Sequence, residues 1–192
     1  MKRNRWLMAA SAVGLHVCIG SVYAWSVLTK PIMAAMGFSL QETTWAFSLA
    51  ILFLGLSAGC LGSKVQQMGP RCSGLLATGF FVTAMFGTAL AMYLHSFLYM
   101  SYGVIGGIGL GIGYITPVST LVKWFPNQRG FATGLAIMGF GFASTIAGPL
   151  MQFLVAHVGL IANFLILGII YAVIMTASSF YLTPPPAAEA EA

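Results

Sequence analysis

Charged side chains are scarce along this chain, and the few present lie in the gaps between long apolar stretches. Only 6% of the 192 residues are Asp, Glu, Lys or Arg, whereas 59% are hydrophobic. An ordinary water-soluble domain carries about 25% charged residues, which cover its surface. This chain cannot cover its exterior in that way, so the sequence predicts that lipid surrounds most of it.

Six of the apolar stretches are long enough to cross a bilayer, since a transmembrane helix needs about 20 such residues. They lie at about 6–29, 43–62, 72–92, 97–121, 130–156 and 160–182. Because lipid offers the backbone no hydrogen-bond partners, each stretch must be helical. The sequence therefore predicts an all-α membrane protein, with a six-helix transmembrane bundle over residues 1–182. Residues 183–192, TPPPAAEAEA, predict a disordered cytoplasmic tail.

The basic residues indicate how the bundle is oriented. All but one of the eight Lys and Arg precede the first span or follow the second and fourth: Lys2, Arg3, Arg5, Lys64, Arg71, Lys123 and Arg129. Only Lys30, with Glu42 nearby, lies on the other side. Since short cytoplasmic loops are enriched in Lys and Arg, we expect both termini in the cytoplasm of an inner (plasma) membrane protein. The net charge of +5 then reflects topology and gives no reason to expect nucleic-acid binding.

Glycines recur every fourth residue within the predicted spans. Gly103, Gly107 and Gly111 form such a stripe in the fourth span, and Gly55 and Gly59 form one in the second. Between helices in lipid, close backbone contact over small residues supplies much of the attraction. We expect these stripes to pack against neighbouring helices. Whether they also let the helices slide, as a carrier requires, is left open by the spacing.

Two connecting segments resemble those of a known transporter family. Ala58–Arg71, AGCLGSKVQQMGPR, is similar to the signature loop of the major facilitator superfamily, although Ser63 stands at the usual acidic position. Lys123–Ser144, KWFPNQRGFATGLAIMGFGFAS, resembles the oxalate/formate antiporters of that superfamily. Gly20–Ser26 and Gly111–Thr120 are similar to the same family's first and fourth helices. Gly148 and Pro149 resemble the Gly-Pro bend in the fifth helix of superfamily antiporters.

The resemblance implies half of a major-facilitator fold, built from two inverted three-helix repeats. It implies transport of a small mono- or dicarboxylate by alternating access, with a second six-helix half or a second copy completing the carrier. It also implies a cytoplasmic gate formed by Lys64, Arg71, Lys123 and Arg129. The residues themselves leave another reading for the segment from Lys123 to Arg129, which is a turn anchored at the membrane interface.

Candidate substrate contacts must come from uncharged side chains, because no Lys or Arg lies deep within a span. The candidates are His16, Tyr23, Trp25, Trp45, Tyr114 and Phe140. The resemblance implies an aromatic box whose cations come from the second half of the carrier. Tyr23 and Trp25 point in nearly opposite directions, so at most one of them is expected to face the cavity. Packing or interfacial roles remain the alternative for each candidate.

No pattern in the chain supports an enzyme, since it contains no Asp, no paired carboxylates and no metalloprotease or nucleophile motif. Cys18, Cys60 and Cys72 match no metal-ligand spacing, so we expect neither a metal nor another cofactor. A small channel and a non-transporting membrane subunit remain alternatives to a carrier. We expect that this chain by itself does not transport oxalate or formate.

Overall fold

A computed structural model describes residues 4–185, and this part of the chain is helical with no strand. Six segments are long and apolar enough to cross a membrane. The helices are α1 (Arg5–Gly20), α2 (Trp25–Met36), α3 (Leu40–Met68), α4 (Pro70–Ala91), α5 (Gly107–Trp124), α6 (Arg129–Val158) and α7 (Leu160–Tyr181). A 3-10 turn, Ser21–Ala24, joins α1 to α2 within the first span, and a π-helix, Tyr99–Gly106, leads into α5.

The first connection is much shorter than the gap left between the first two predicted spans, residues 30–42. Helix α2 continues through Pro31 to Met36, and Gly37 ends it in the left-handed conformation. The helix continues because Leu28, Ile32 and Met36, four residues apart, are all buried. Ser39 and Glu42 then form a reciprocal capping box that begins α3.

The second connection is also shorter than expected, since residues 63–71, the gap between the second and third predicted spans, are almost entirely helical. Helix α3 extends to Met68, and a single residue, Gly69 (φ 81°), precedes α4. Val65 is buried against Ala77 and Ile112, so this extension of α3 adds an apolar contact to the bundle. Lys64 therefore lies on the last turns of α3, and Arg71 lies in the first turn of α4.

The six spans, with α1 and α2 together forming the first, divide into two similar sets of three. Helices α3 and α6 have 29 and 30 residues, α4 and α7 have 22 each, and single glycines with similar backbone angles separate them: Gly69 (φ 81°, ψ 161°) and Gly159 (φ 88°, ψ 169°). The packing follows the same symmetry. Helix α3 packs on α5 and α6 packs on α1, while α4 pairs with α7 and α1 with α5. This is the arrangement of two three-helix repeats, with α1 and α5 as equivalent first helices.

The glycine face of α5 and its preceding π-helix lies against α3. A methyl group at Gly107 would lie 2.6 Å from Phe53 Cβ and 2.7 Å from the Ala50 carbonyl oxygen, and one at Gly103 would lie 2.8 Å from Leu49 Cβ. Gly111 faces Ser57 and the Leu54 carbonyl equally closely. Only hydrogen fits at these three positions, so the two helices are in backbone contact there.

The packing expected for Gly55 and Gly59 is not found between residues 4 and 185. No atom lies within 4 Å of where a Cβ would be at either position. Gly55 and Gly59 do share one face of α3, but this face is the open side of the helix, away from α5. Gly148 makes only an ordinary contact with Val27, and α6 continues through Pro149 to Val158.

The tail is partly fixed against the bundle. Leu182 is buried, and the Thr183 carbonyl accepts a hydrogen bond of 2.8 Å from Trp124 Nε1. The tail expected to be disordered therefore begins no earlier than Pro184. Residues 186–192 lie outside the described part, as do Lys2 and Arg3.

Candidate functional site

Four of the six candidate substrate residues form one cluster where the two first helices meet α6. The ring of His16, on α1, stacks on that of Tyr114, on α5, with centroids 5.6 Å apart. Phe140, on α6, lies 5.8 Å from His16, 5.3 Å from Tyr114 and 5.2 Å from Tyr23. We call these four residues the aromatic cluster.

Small residues allow α1 and α6 to approach closely enough to form this cluster. A methyl group at Gly139 would lie 3.0 Å from a methyl carbon of Val13. At Gly20 it would meet the Phe140 carbonyl directly and lie 2.7 Å from Ala143 Cβ. The seven-residue spacing of His16 and Tyr23 then places both side chains towards α6.

The His16 imidazole is held by backbone oxygen atoms on two other helices. Its Nδ1 lies 2.6 Å from the Ala136 carbonyl oxygen on α6, and its Nε2 lies 3.1 Å from the Tyr114 carbonyl oxygen on α5. The side chain is 0% exposed. His16 thus links the first helices of both repeats to α6.

The aromatic cluster runs from the bundle interior to its surface. His16 and Phe140 are buried, Tyr114 is half-buried, and Tyr23 is 46% exposed. No cation contributes to the cluster, because every Lys and Arg between residues 4 and 185 is exposed. The chemistry on offer is two phenol hydroxyls, aromatic rings and one imidazole.

The structure places Trp25 and Trp45 outside the aromatic cluster. Trp25 is 4% exposed and packs on Tyr102 with ring centroids 4.2 Å apart. It therefore faces away from Tyr23 and joins the start of α2 in the first span to the π-helix of the fourth. Trp45 is 55% exposed and lies in an open groove of about 480 Å³ on α3. Neither residue contributes a ring contact to the cluster, so the structure does not bring them together with the other four candidates. Their place in a substrate pathway remains a prediction.

The four residues expected to form a gate have different surroundings. Arg71 donates a hydrogen bond of 2.9 Å to the Phe180 carbonyl at the end of α7, with its guanidinium 5.9 Å from the Phe180 ring centroid. Lys123 borders a cavity of about 220 Å³ between the ends of α3, α4 and α5. Lys64 and Arg129 are exposed. A gate formed by these residues therefore remains a prediction.

No group of three His, Cys, Asp or Glu side chains capable of holding a metal ion occurs among the residues that the structure describes. Sequence reasoning missed the strongest polar contacts at the site, which are those of His16 with the carbonyls of Ala136 and Tyr114. A backbone acceptor carries no residue signature. Only the depth of His16 within a span indicated that its ring needed partners.

The family model of the Major Facilitator Superfamily matches residues 8–192. An "Uncharacterized MFS-type transporter YhjX" of Escherichia coli is 29% identical, over 98% of this chain and 46% of its own length.

Two further relatives have names that describe a substrate. The "Oxalate:formate antiporter" of Oxalobacter formigenes is 28% identical over 95% of this chain and 43% of its own length. The "Apicoplast pyruvate carrier 1" of Toxoplasma gondii is 29% identical over 78% of this chain and 35% of its own length. The chain thus spans less than half the length of the relatives it matches.

Proposed function

Because the chain belongs to the Major Facilitator Superfamily, we propose that it forms one six-helix half of a carrier that moves small carboxylates by alternating access. The end of the bundle with Lys64, Arg71, Lys123 and Arg129 faces the cytoplasm of an inner (plasma) membrane in this proposal. The positive-inside rule supports that orientation.

The aromatic cluster is the observation that supports this function best. It lies at the junction of α1, α5 and α6, where superfamily carriers with two repeats bind their cargo near the bilayer midplane. Hydroxyl donors on Tyr23 and Tyr114 and the positive edges of the rings suit a carboxylate. Oxalate, formate and pyruvate, in the names of two relatives, are small carboxylates.

A second six-helix half supplies the opposite wall of the site in this proposal. Tyr23 is half exposed at the edge of the aromatic cluster, so a carboxylate there is covered on one side only. The second half comes from the remainder of a longer polypeptide, a separate chain or a second copy. A second copy adds no cation, whereas a different half can contribute a buried Lys or Arg.

The close contact of α3 with α5 supports the transport mechanism. Glycines at positions 103, 107 and 111 leave a smooth surface between a first helix and a second helix. Such a surface allows small sliding movements without the repacking of large side chains.

Counterflow in lipid vesicles tests the function. Vesicles loaded with unlabelled oxalate receive either this chain alone, two copies fused in tandem, or this chain fused to the carboxy-terminal half of the Oxalobacter formigenes antiporter. We expect saturable uptake of labelled oxalate or formate only with a second half present. Saturable uptake by the single chain at no more than one copy per vesicle, where it cannot pair with a second copy, overturns the half-carrier assignment. Flux that neither saturates nor shows counterflow identifies a channel.

A conservative variant tests the role of the aromatic cluster. Tyr23→Phe removes one hydroxyl donor and leaves the ring contact with Phe140 intact. A hydrogen bond to a charged group contributes about 1.5–3 kcal/mol, so the apparent affinity should fall about 10- to 150-fold. Tyr93→Phe, at a position 70% exposed beyond the end of α4, is the matched control and should leave the affinity unchanged. Equal affinities in both variants contradict a substrate contact at Tyr23.

A further inference from the structure

The hydrogen bonding of His16 is incomplete when its ring is neutral. Both ring nitrogens face carbonyl oxygens, which only accept hydrogen bonds. A neutral imidazole has one N–H, so one nitrogen must face an oxygen with its lone pair. The shorter distance, 2.6 Å, places that N–H on Nδ1, bonded to the Ala136 carbonyl.

The lone pair of Nε2 therefore faces the Tyr114 carbonyl oxygen, and this contact becomes a hydrogen bond only when Nε2 gains a proton. At 3.1 Å the oxygen already lies within N–H···O distance of Nε2. Protonation completes the second hydrogen bond without moving the ring. It also ties α1 to α5 as well as to α6.

The surroundings of His16 favour a cation through two nearby aromatic rings, but the described residues around it supply no negative charge to neutralise that cation. The ring of Tyr114 is stacked on that of His16 at 5.6 Å between centroids, and the tilted ring of Phe140 lies at 5.8 Å; both distances are within cation–π range. From α5 the titratable group facing His16 is Tyr114, and Tyr23 lies beyond Phe140. Helix α6 presents Ala136, Gly139 and Phe140, none of which titrates. From α7, Ser178 packs near Gly14, two residues before His16.

No carboxylate of the described chain neutralises a proton on His16. Glu42 is the only acidic residue between positions 4 and 185, and it is exposed at the start of α3, where it is bonded to Ser39. A buried cation without a counter-ion is costly. A carboxylate bound at the aromatic cluster is the charge that completes the site.

We infer that His16 is a proton-binding site that fills together with the anion: Nε2 takes up one proton when a carboxylate enters the aromatic cluster. This inference rests on the proposed function and adds the coupling ion to it. Coupling between two ligands is reciprocal, so the proton strengthens anion binding as much as the anion strengthens proton binding. The imidazolium, with a hydrogen bond from each ring nitrogen, also holds α1, α5 and α6 together in the loaded state.

The tautomer of His16 provides a test that needs no transport. His95 and His157 are exposed and are replaced with Gln, which leaves His16 as the one histidine of the chain. Nitrogen NMR of the ¹⁵N-histidine-labelled chain in lipid nanodiscs should show a neutral ring protonated at Nδ1. A neutral ring protonated at Nε2 overturns the inference.

The pH dependence of exchange tests the coupling in the assembled carrier. If one proton is taken up with each anion, the apparent affinity for oxalate falls about tenfold for each unit by which the pH rises, as long as unloaded His16 is neutral. His16→Gln should lose this slope, whereas His95→Gln and His157→Gln should keep it. Exchange with the same slope in His16→Gln overturns this inference alone, and the absence of any oxalate exchange overturns the proposed function as well.

Discussion

Adding one methyl group at Gly107 should force α3 and α5 apart. The new carbon of Gly107→Ala would lie 2.6 Å from Phe53 Cβ, 2.7 Å from the Ala50 carbonyl oxygen and 3.2 Å from Ala50 Cα. Carbon atoms in contact are normally about 3.5–4.0 Å apart, so the helices must separate by roughly 1 Å. Two of the three atoms belong to the backbone of α3, and no rotamer change moves them away.

The size of the effect follows from comparison with two other glycines. Overpacking in a well-packed interior costs about 1–3 kcal/mol, while every Gly→Ala change in a helix gains up to about 1 kcal/mol of helix propensity. Gly55→Ala gains the same propensity and meets no atom within 4 Å. At Gly113 the nearest atom is the flexible end of Ile19, at 3.2 Å. We expect Gly107→Ala to be the least stable of the three by about 1–3 kcal/mol, with Gly113→Ala between it and Gly55→Ala.

Titration with sodium dodecyl sulfate in mixed micelles, followed by circular dichroism and tryptophan fluorescence, measures this difference in unfolding free energy. The comparison between variants cancels the common propensity term. Unfolding free energies of Gly107→Ala and Gly55→Ala that agree within about 0.5 kcal/mol refute the argument that backbone contact holds α3 against α5. A reversed order refutes the identification of the packed and open glycine faces.

Two further perturbations test the ends of the helices. Ser39→Ala removes the capping box of α3 and should lower the free energy of unfolding by about 0.5–2 kcal/mol in the same titration. The control Ser63→Ala, at an exposed position, should change that free energy by less than about 0.5 kcal/mol. Equal effects of the two substitutions contradict a stabilising cap at Ser39. In a chain without its native cysteines, Ser63→Cys and Asn127→Cys should both resist a membrane-impermeant maleimide added outside intact cells and react once the cells are opened, and labelling of the two on opposite faces contradicts the six-span topology.

The number and type of helices could be predicted because lipid constrains the sequence strongly. Long apolar runs with basic residues between them admit few structures. The ends of the helices were less predictable. The first span was expected to end at about residue 29, yet α2 continues through Pro31 to Met36, because the burial of Ile32 and Met36 outweighs the loss of one backbone hydrogen bond.

The irregular segments within the spans had no signal in the sequence. Ser21–Ala24 is a 3-10 turn and Tyr99–Gly106 is a π-helix, although both stretches are as apolar as their neighbours. Trp25, the first residue of α2 directly after the 3-10 turn, packs on Tyr102 of the π-helix. This tertiary contact links the two regions of the chain, and neither stretch encodes it by itself.

The candidate site was predictable to the extent that helical spacing governs direction. The seven-residue spacing of His16 and Tyr23 predicted that they share one side of the first span. The structure places Tyr114 and Phe140 against them on that side. Spacing alone could not decide which face of α3 lies inside the bundle. For that reason Trp45 was expected in the pathway and is found on the open side.

The one-residue bends at Gly69 and Gly159 make each repeat sensitive to the register of its returning helix. An α-helix turns by about 100° per residue, so a single inserted amino acid at either bend swings the whole of α4 or α7 around its axis. Phe81 or Phe164, now sealed within the bundle, would then point at the hydrocarbon chains. Natural variation in length should therefore be absent from both bends, and a deletion scan should find them equally intolerant.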